Sequence, residues 1–173
     1  MSTRQVLTRI QQFRQTVAPR QIDPEARAIA LRTLTEDQLE AFLQLPRFDQ
    51  DHLVCVFESL YRAGHLDPDL LTAALLHDIG KHQDGRGVQF SDRTLRVVLD
   101  RVAPRLVKSL ATPSRGNRVH GLMLAVHHPE LGAGRARELG CSELSCWLIR
   151  HHEDVGWSDS ELLAVLQKAD SVC

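Results

Sequence analysis

The sequence predicts an all-α protein, an irregular helical bundle and not a coiled coil. Three observations carry that expectation. Apolar residues recur at i, i+3, i+4 and i+7, cap residues bracket those stretches, and the remaining segments read as loops.

Taken in order, "STRQVLTRIQQFRQTVA" (Ser2 to Ala18) and "DPEARAIALRTL" (Asp23 to Leu34) read as two N-terminal helices. The second is opened by Asp23 with Pro24 at its first turn, where a missing N–H costs nothing. Thr35 to Gln38, "TEDQ", has the form of a capping box ahead of "LEAFLQL". A longer helix is expected over 48–63, closed by Gly64, and Asp67 with Pro68 starts the next one at "LLTAALLHDIGKH". "SDRTLRVVLDRVAPRLVKSLA" reads as helical with a break before Pro104, and "TPSRGN" as a loop. Four more helices are expected: one running into His128, one over "ELGAGRAREL", one from Ser142 to Glu153, and a last one starting at "SDSE".

With 173 residues the chain suits one core, divided into a helical extension over residues 1–45 packed on a main body over 46–173. A formal net charge of −1 gives no global field for nucleic acid or an anionic membrane. The apolar runs fall short of the ~20 residues of a spanning helix, and "MSTRQVLTRIQQFRQ" is too polar for a secretory signal, so a cytoplasmic protein is expected. The four cysteines, Cys55, Cys141, Cys146 and Cys173, lack CxxC spacing and read as small buried hydrophobes in a reducing compartment.

Histidine is the unusual residue. Of nine, seven lie in "LLHDIGKH", "VHGLMLAVHHPE" and "LIRHHED". His52 lies on the edge of the stripe formed by Leu53, Val56, Phe57 and Leu60. His151 and His152 extend the stripe of Leu144, Trp147 and Leu148, so both are expected to point inward. Asp170 follows Leu163 and Leu166 at a core position. A single inward His is usually a satisfied core residue. Imidazole and carboxylate arriving from four helices are better explained by a shared cation, because buried charges need partners. Periodicity does not separate His120, His127 and His128, which can share one helix side.

His52, "HD" (His77, Asp78), "HPELGA" from His128, "HHE" (His151, His152) and "KAD" (Asp170) resemble the ordered H…HD…H…HH…D signature of the HD-domain metal-dependent phosphohydrolase superfamily, over about Asp49 to Val172. The extra histidines are similar to its two-metal subset. That resemblance implies an HD domain over 46–173 and selects His128 over His127. It implies one ion on His52, His77 and Asp170, a second on His128, His151 and His152, and Asp78 bridging both. Its implied activity is hydrolysis of a nucleotide or another small phosphate ester by metal-activated hydroxide. An N/O donor set suits Fe or Mn best, and Zn, Co and Ni also take it.

Lys81 follows His77 by four residues; with the helix continuing through Gly80 it would share that side and neutralise phosphate, or else it is an ordinary cation at a helix end. Arg115 and Arg118 are candidates for substrate phosphates, with a solvated loop as the alternative, and His120 for a substrate contact. His65 and His82 are expected to be exposed at helix ends. After "HHED" the chain reads "VGWSDSE" and lacks a GYP element, so cyclic-di-GMP specificity is not implied. Two alternatives stand beside hydrolysis: a di-iron oxygenase of the same fold, and a non-catalytic HD module. Asp170 stands three residues from the last one given, so the final helix is expected to have little support beyond its ligand.

Overall fold

The computed structural model describes residues 22–83, 86–88, 120–154 and 160–173. The expected helices over Ser2 to Ala18 and 91–111, and the loop arginines Arg115 and Arg118, lie outside the described residues.

The described residues form a bundle of helices: α1 (Pro24–Arg32), α2 (Glu36–Leu43), α3 (Arg47–Arg62), α4 (Pro68–Leu76), α5 (His120–Glu138), α6 (Glu143–His151) and α7 (Glu161–Val172). A 3₁₀ turn (Ile79–Lys81) follows α4, and a two-residue antiparallel pairing joins β1 (His82–Gln83) to β2 (Arg86–Gly87). That short pairing is the one departure from helix and loop among the described elements, and it is too small to alter the all-α class.

The helix starts follow the cap residues. Asp23 accepts from the N–H of Glu25, and Asp67 from those of Asp69 and Leu70, each ahead of a proline. Thr35 and Gln38 cap each other reciprocally. Gly64, at φ 85°, turns the chain after α3, a conformation that costs an L side chain energy.

Helix α4 is the centre of the molecule. Leu70, Leu71, Ala73, Ala74, Leu75 and Leu76 are all buried, leaving only Pro68, Asp69 and Thr72 of the helix in reach of solvent. It packs against α3, α6 and α7, and each fully buried leucine contributes about 1.5–3 kcal/mol. Ala30, Leu34, Phe42 and Leu45 from the first two helices join the same core as Leu53, Phe57, Leu148 and Leu166.

Two expectations change. The segments before and after Pro129 form one 19-residue helix, α5, with the proline inside it. And the cysteines are not all free: Cys55 on α3 is disulfide-bonded to Cys173 just beyond α7, closing a sequence separation of 118, while Cys141 and Cys146 remain thiols. Spacing alone could not show that pairing, because it depends on α7 returning to lie along α3. Among the described residues no helix is long and apolar enough to cross a membrane.

Candidate metal centre

Three histidines are aimed by the same local device. Each sits where a helix has a carbonyl without its usual partner, and each gives its Nδ1 hydrogen to the carbonyl three residues earlier. His77 caps α4 and bonds Ala74 O at 3.1 Å; His152 caps α6 and bonds Ile149 O at 2.7 Å. His128 lies inside α5, where Pro129 has no N–H to offer Ala125, and His128 Nδ1 bonds that carbonyl at 3.0 Å. A ring nitrogen at this distance from a carbonyl must carry the hydrogen, so in the neutral ring the opposite nitrogen, Nε2, is left with a bare lone pair.

Those lone pairs converge on a carboxylate. Asp78 Oδ1 lies 3.5 Å from His128 Nε2 and 3.8 Å from both His77 Nε2 and His152 Nε2. The Nε2 atoms of His128 and His152 are 3.2 Å apart. Asp78 Oδ1 and His77 Nε2 are buried without a hydrogen-bond partner. In a dry interior such an arrangement is unfavourable, since acceptors face acceptors with nothing between them. A cation resolves it. Two donors each about 2.1 Å from one ion stand about 3.0–3.4 Å apart at octahedral or tetrahedral angles, close to the separations seen.

Two donor groups can each hold a metal ion. His52, His77 and Asp78 bring ligand atoms within 4.8 Å of one another, and so do Asp78, His128 and His152. Asp78 belongs to both. Asp170, from α7, extends the first group, with Oδ1 3.0 Å from His52 Nε2 and 3.5 Å from His77 Nε2. The approach of the segments is set by glycine: a Cβ on Gly80 would stand 2.2 Å from His128 O and 2.5 Å from Gly132 N. Only glycine lets the turn bearing Asp78 and Lys81 meet α5 at His128.

The electrostatics separate the two groups. Burial raises the pKa of Asp78, but Lys81, then His77, His128 and His52, outweigh it and hold the carboxylate well below its ordinary range. Lys81 Nζ is 2.5 Å from Asp78 Oδ2. Burial, with Lys81 nearby, lowers His128 well below the usual imidazole value, and burial with His77 lowers His152. Both are neutral near pH 7, the form that binds metal. For His77 burial also lowers the pKa, yet the charges of Asp78 and Asp170 prevail and raise it. Asp170 is pushed up by burial and down further by His52 and His77, ending far below the carboxylate range.

The structure therefore brings together His52, His77, Asp78, His128, His152 and Asp170, with Lys81 on the shared carboxylate. His151 is not among them. Its ring lies against Trp147 and its Nδ1 is 2.6 Å from Asp154 Oδ2. Neighbouring residues on a helix point about 100° apart, and His152 is the one directed inward. His128 is fully buried while His127 is only partly so. His120 opens α5 outside the two groups. Lys81 reaches Asp78 across the 3₁₀ turn, not along a continued α4.

Two positions went unread in the sequence. Glu153 places Oε1 3.6 Å from His128 Nε2; the "HHE" triplet was its signal. His82, expected in solvent, instead bonds the buried Asp49 at 2.8 Å. Comparison of the chain with protein-family models, with curated proteins and with solved structures finds no match in any of the three.

Proposed function

We propose that this protein is a metal-dependent phosphohydrolase that uses two divalent transition-metal ions, Fe or Mn by preference, to hydrolyse a small phosphate ester such as a nucleotide. The single observation that carries this reading is the buried carboxylate of Asp78, shared by two imidazole-rich groups and left without a hydrogen-bond donor on Oδ1. Paired cations about one shared carboxylate are a recurring solution to phosphoryl hydrolysis. The order of the donors along the chain, similar to the HD-domain signature, supports the same reading.

His52, His77 and Asp170 would hold one ion, His128 and His152 the other, and Asp78 both. Bound there, the ions would supply Lewis acidity and a water acidified enough to act as nucleophile near neutral pH. The residues supply the rest. The backbone carbonyls of Ala74, Ala125 and Ile149 fix the imidazoles before any ligand arrives. Lys81 offsets the charge of Asp78, and its partly exposed ammonium can meet a phosphate oxygen at the rim. Arg115 and Arg118 are offered as further phosphate contacts on sequence grounds, and His120 as a substrate contact.

Two measurements on one preparation test this. Elemental analysis of anaerobically purified protein should find about two transition ions per chain. Phosphate release from a panel of nucleotides should require Mn²⁺ or Fe²⁺ and vanish with chelator. Loaded protein that releases no phosphate, and instead consumes O₂ with an organic substrate, would replace hydrolysis by oxygenation.

A further inference from the structure

We propose that the Cys55–Cys173 disulfide is a redox-operated clamp on one half of the metal centre, so that its reduction loosens the grip of His52, His77 and Asp170 while leaving His128 and His152 unaffected. The inference rests on the metal-centre reading and adds a means of controlling it.

The placement is specific. Cys55 stands one helical turn after His52 on α3, and Cys173 stands three residues after Asp170 at the end of α7. The covalent bond joins the same two helices as the 3.0 Å contact of His52 with Asp170, each cysteine three residues after the donor on its helix. Of all the donors, Asp170 is the one delivered by α7, so its position depends on how the end of that helix is held. Leu163, Leu166 and Ala169 anchor the preceding turns in the core, whereas Ser171 and Val172 are exposed and add little burial beyond Asp170. The disulfide ties down this last turn. His77, His128 and His152 lack any such dependence, each being aimed by a carbonyl of its own helix, so the dependence lies with His52 and Asp170; neither free cysteine belongs to a donor group.

Both bonded cysteines are partly exposed, so a thiolate can reach the bond. A dithiol reductant attacks one sulfur and the S–S bond breaks. Two electrons and two protons pass to Cys55 and Cys173 as thiols, and the reductant closes to its own disulfide. In a reducing compartment the pair is open until oxidised, which makes it a switch and not a permanent staple. With the clamp open, the turn of α7 that carries Asp170 loses its covalent tie to α3, and Asp170 spends less time beside His52. The cost should resemble the loss of a supporting contact around a metal site, about 10- to 100-fold in affinity.

The full chain, purified without reductant, is compared with the same protein reduced and with Cys55→Ser. Free Mn²⁺ is followed by electron paramagnetic resonance, and α7 by hydrogen exchange. The expected result is one Mn²⁺ affinity falling tenfold or more on reduction, a second unchanged, and faster exchange over 167–172 with or without metal. Cys55→Ser should match the reduced protein and no longer respond to oxidant. Identical Mn²⁺ isotherms in the two redox states overturn the clamp, as do four free thiols in protein exposed to an oxidised dithiol. Faster exchange on reduction in a protein that binds no Mn²⁺ in either state overturns the metal-centre reading and the control of it, while showing the tether itself.

Discussion

The two halves of the donor cluster are built differently. The inner half, Asp78 with His128 and His152, is buried at every position. Its histidines are oriented by the carbonyls of their own helices, and a glycine-to-glycine approach at Gly80 and Gly132 brings the segments together. The outer half, His52 with His77 and Asp170, has two partly exposed members and is assembled from α3, the end of α4 and α7. Its geometry depends on tertiary closure, with a disulfide across the closing helices. Both halves are joined by long-range packing, but every histidine of the inner half is also aimed by its own helix, whereas His52 and Asp170 of the outer half show no such local bond. The two should therefore fail in different ways.

The largest effect should come from the residue common to both. Asp78→Asn keeps the shape but removes the charge shared by both donor groups; on the proposed two-ion hydrolase reading, both ions should be lost and phosphate release should fall by more than about 10²-fold, the cost of one preorganised electrostatic group. Elemental analysis of the variant checks it; retention of two ions would dissolve the distinction between halves along with the shared carboxylate. Next come single ligands in metal-free protein. His128→Ala opens a cavity in a fully buried site and should cost about 2–4 kcal/mol in urea unfolding. His52→Ala, with about a fifth of its side chain exposed, should cost less than half as much. Equal costs would mean that the outer half is as tightly built as the inner.

The same contrast governs what could be read in advance. The all-α class, the caps at Asp23, Thr35 and Asp67, and the inward course of His77, His128 and His152 follow from local signals that survive folding unchanged. Asp170 was legible because an acid in a leucine stripe is conspicuous. The stripe of α6 is broad enough to include both His151 and His152, but neighbours point about 100° apart and only His152 enters a donor group. The Cys55–Cys173 bond and the His82–Asp49 pair join residues 118 and 33 positions apart, and no period in the sequence encodes such meetings. The join at Pro129 was read as a boundary, as proline usually is. Here the carbonyl beyond reach of the missing N–H is used by His128 instead.

That substitution of partners makes Pro129→Ala a finer test of the inner half. Alanine restores an N–H that competes with His128 Nδ1 for the Ala125 carbonyl. Helix α5 should become more stable, by up to about 3 kcal/mol, the usual penalty of an interior proline. A cation bound by the inner donors should nonetheless be held roughly tenfold more weakly, the lower end of what a lost orienting hydrogen bond costs. Stability and affinity moving in opposite directions is the signature, and calorimetry with Mn²⁺ beside thermal unfolding reads both. A variant that binds as tightly as the parent would show that the ring is oriented by packing alone.

The smallest effect concerns protons. The depressed pKa values of Asp78 and Asp170 give stability that is present above the unfolded carboxylate value, about 4, and lost as pH falls. His128 and His152, also depressed, add stability that is lost as pH drops below the unfolded imidazole value, about 6.5. His77 has the opposite sign. Raised in the fold, it stabilises the metal-free protein below about pH 6.5, and that contribution disappears as pH rises through its folded value. A cation must displace this proton, so binding at the outer half should release a fraction of a proton that grows between pH 7.5 and 6, while binding at the inner half, whose imidazoles are already neutral, should release almost none. Titration calorimetry in two buffers of different ionisation heat measures the number directly. His77→Gln, which removes the ring whose pKa the fold raises, should lower the release while one ion still binds; a release unchanged in this variant would mean that His77 does not carry the exchanged proton.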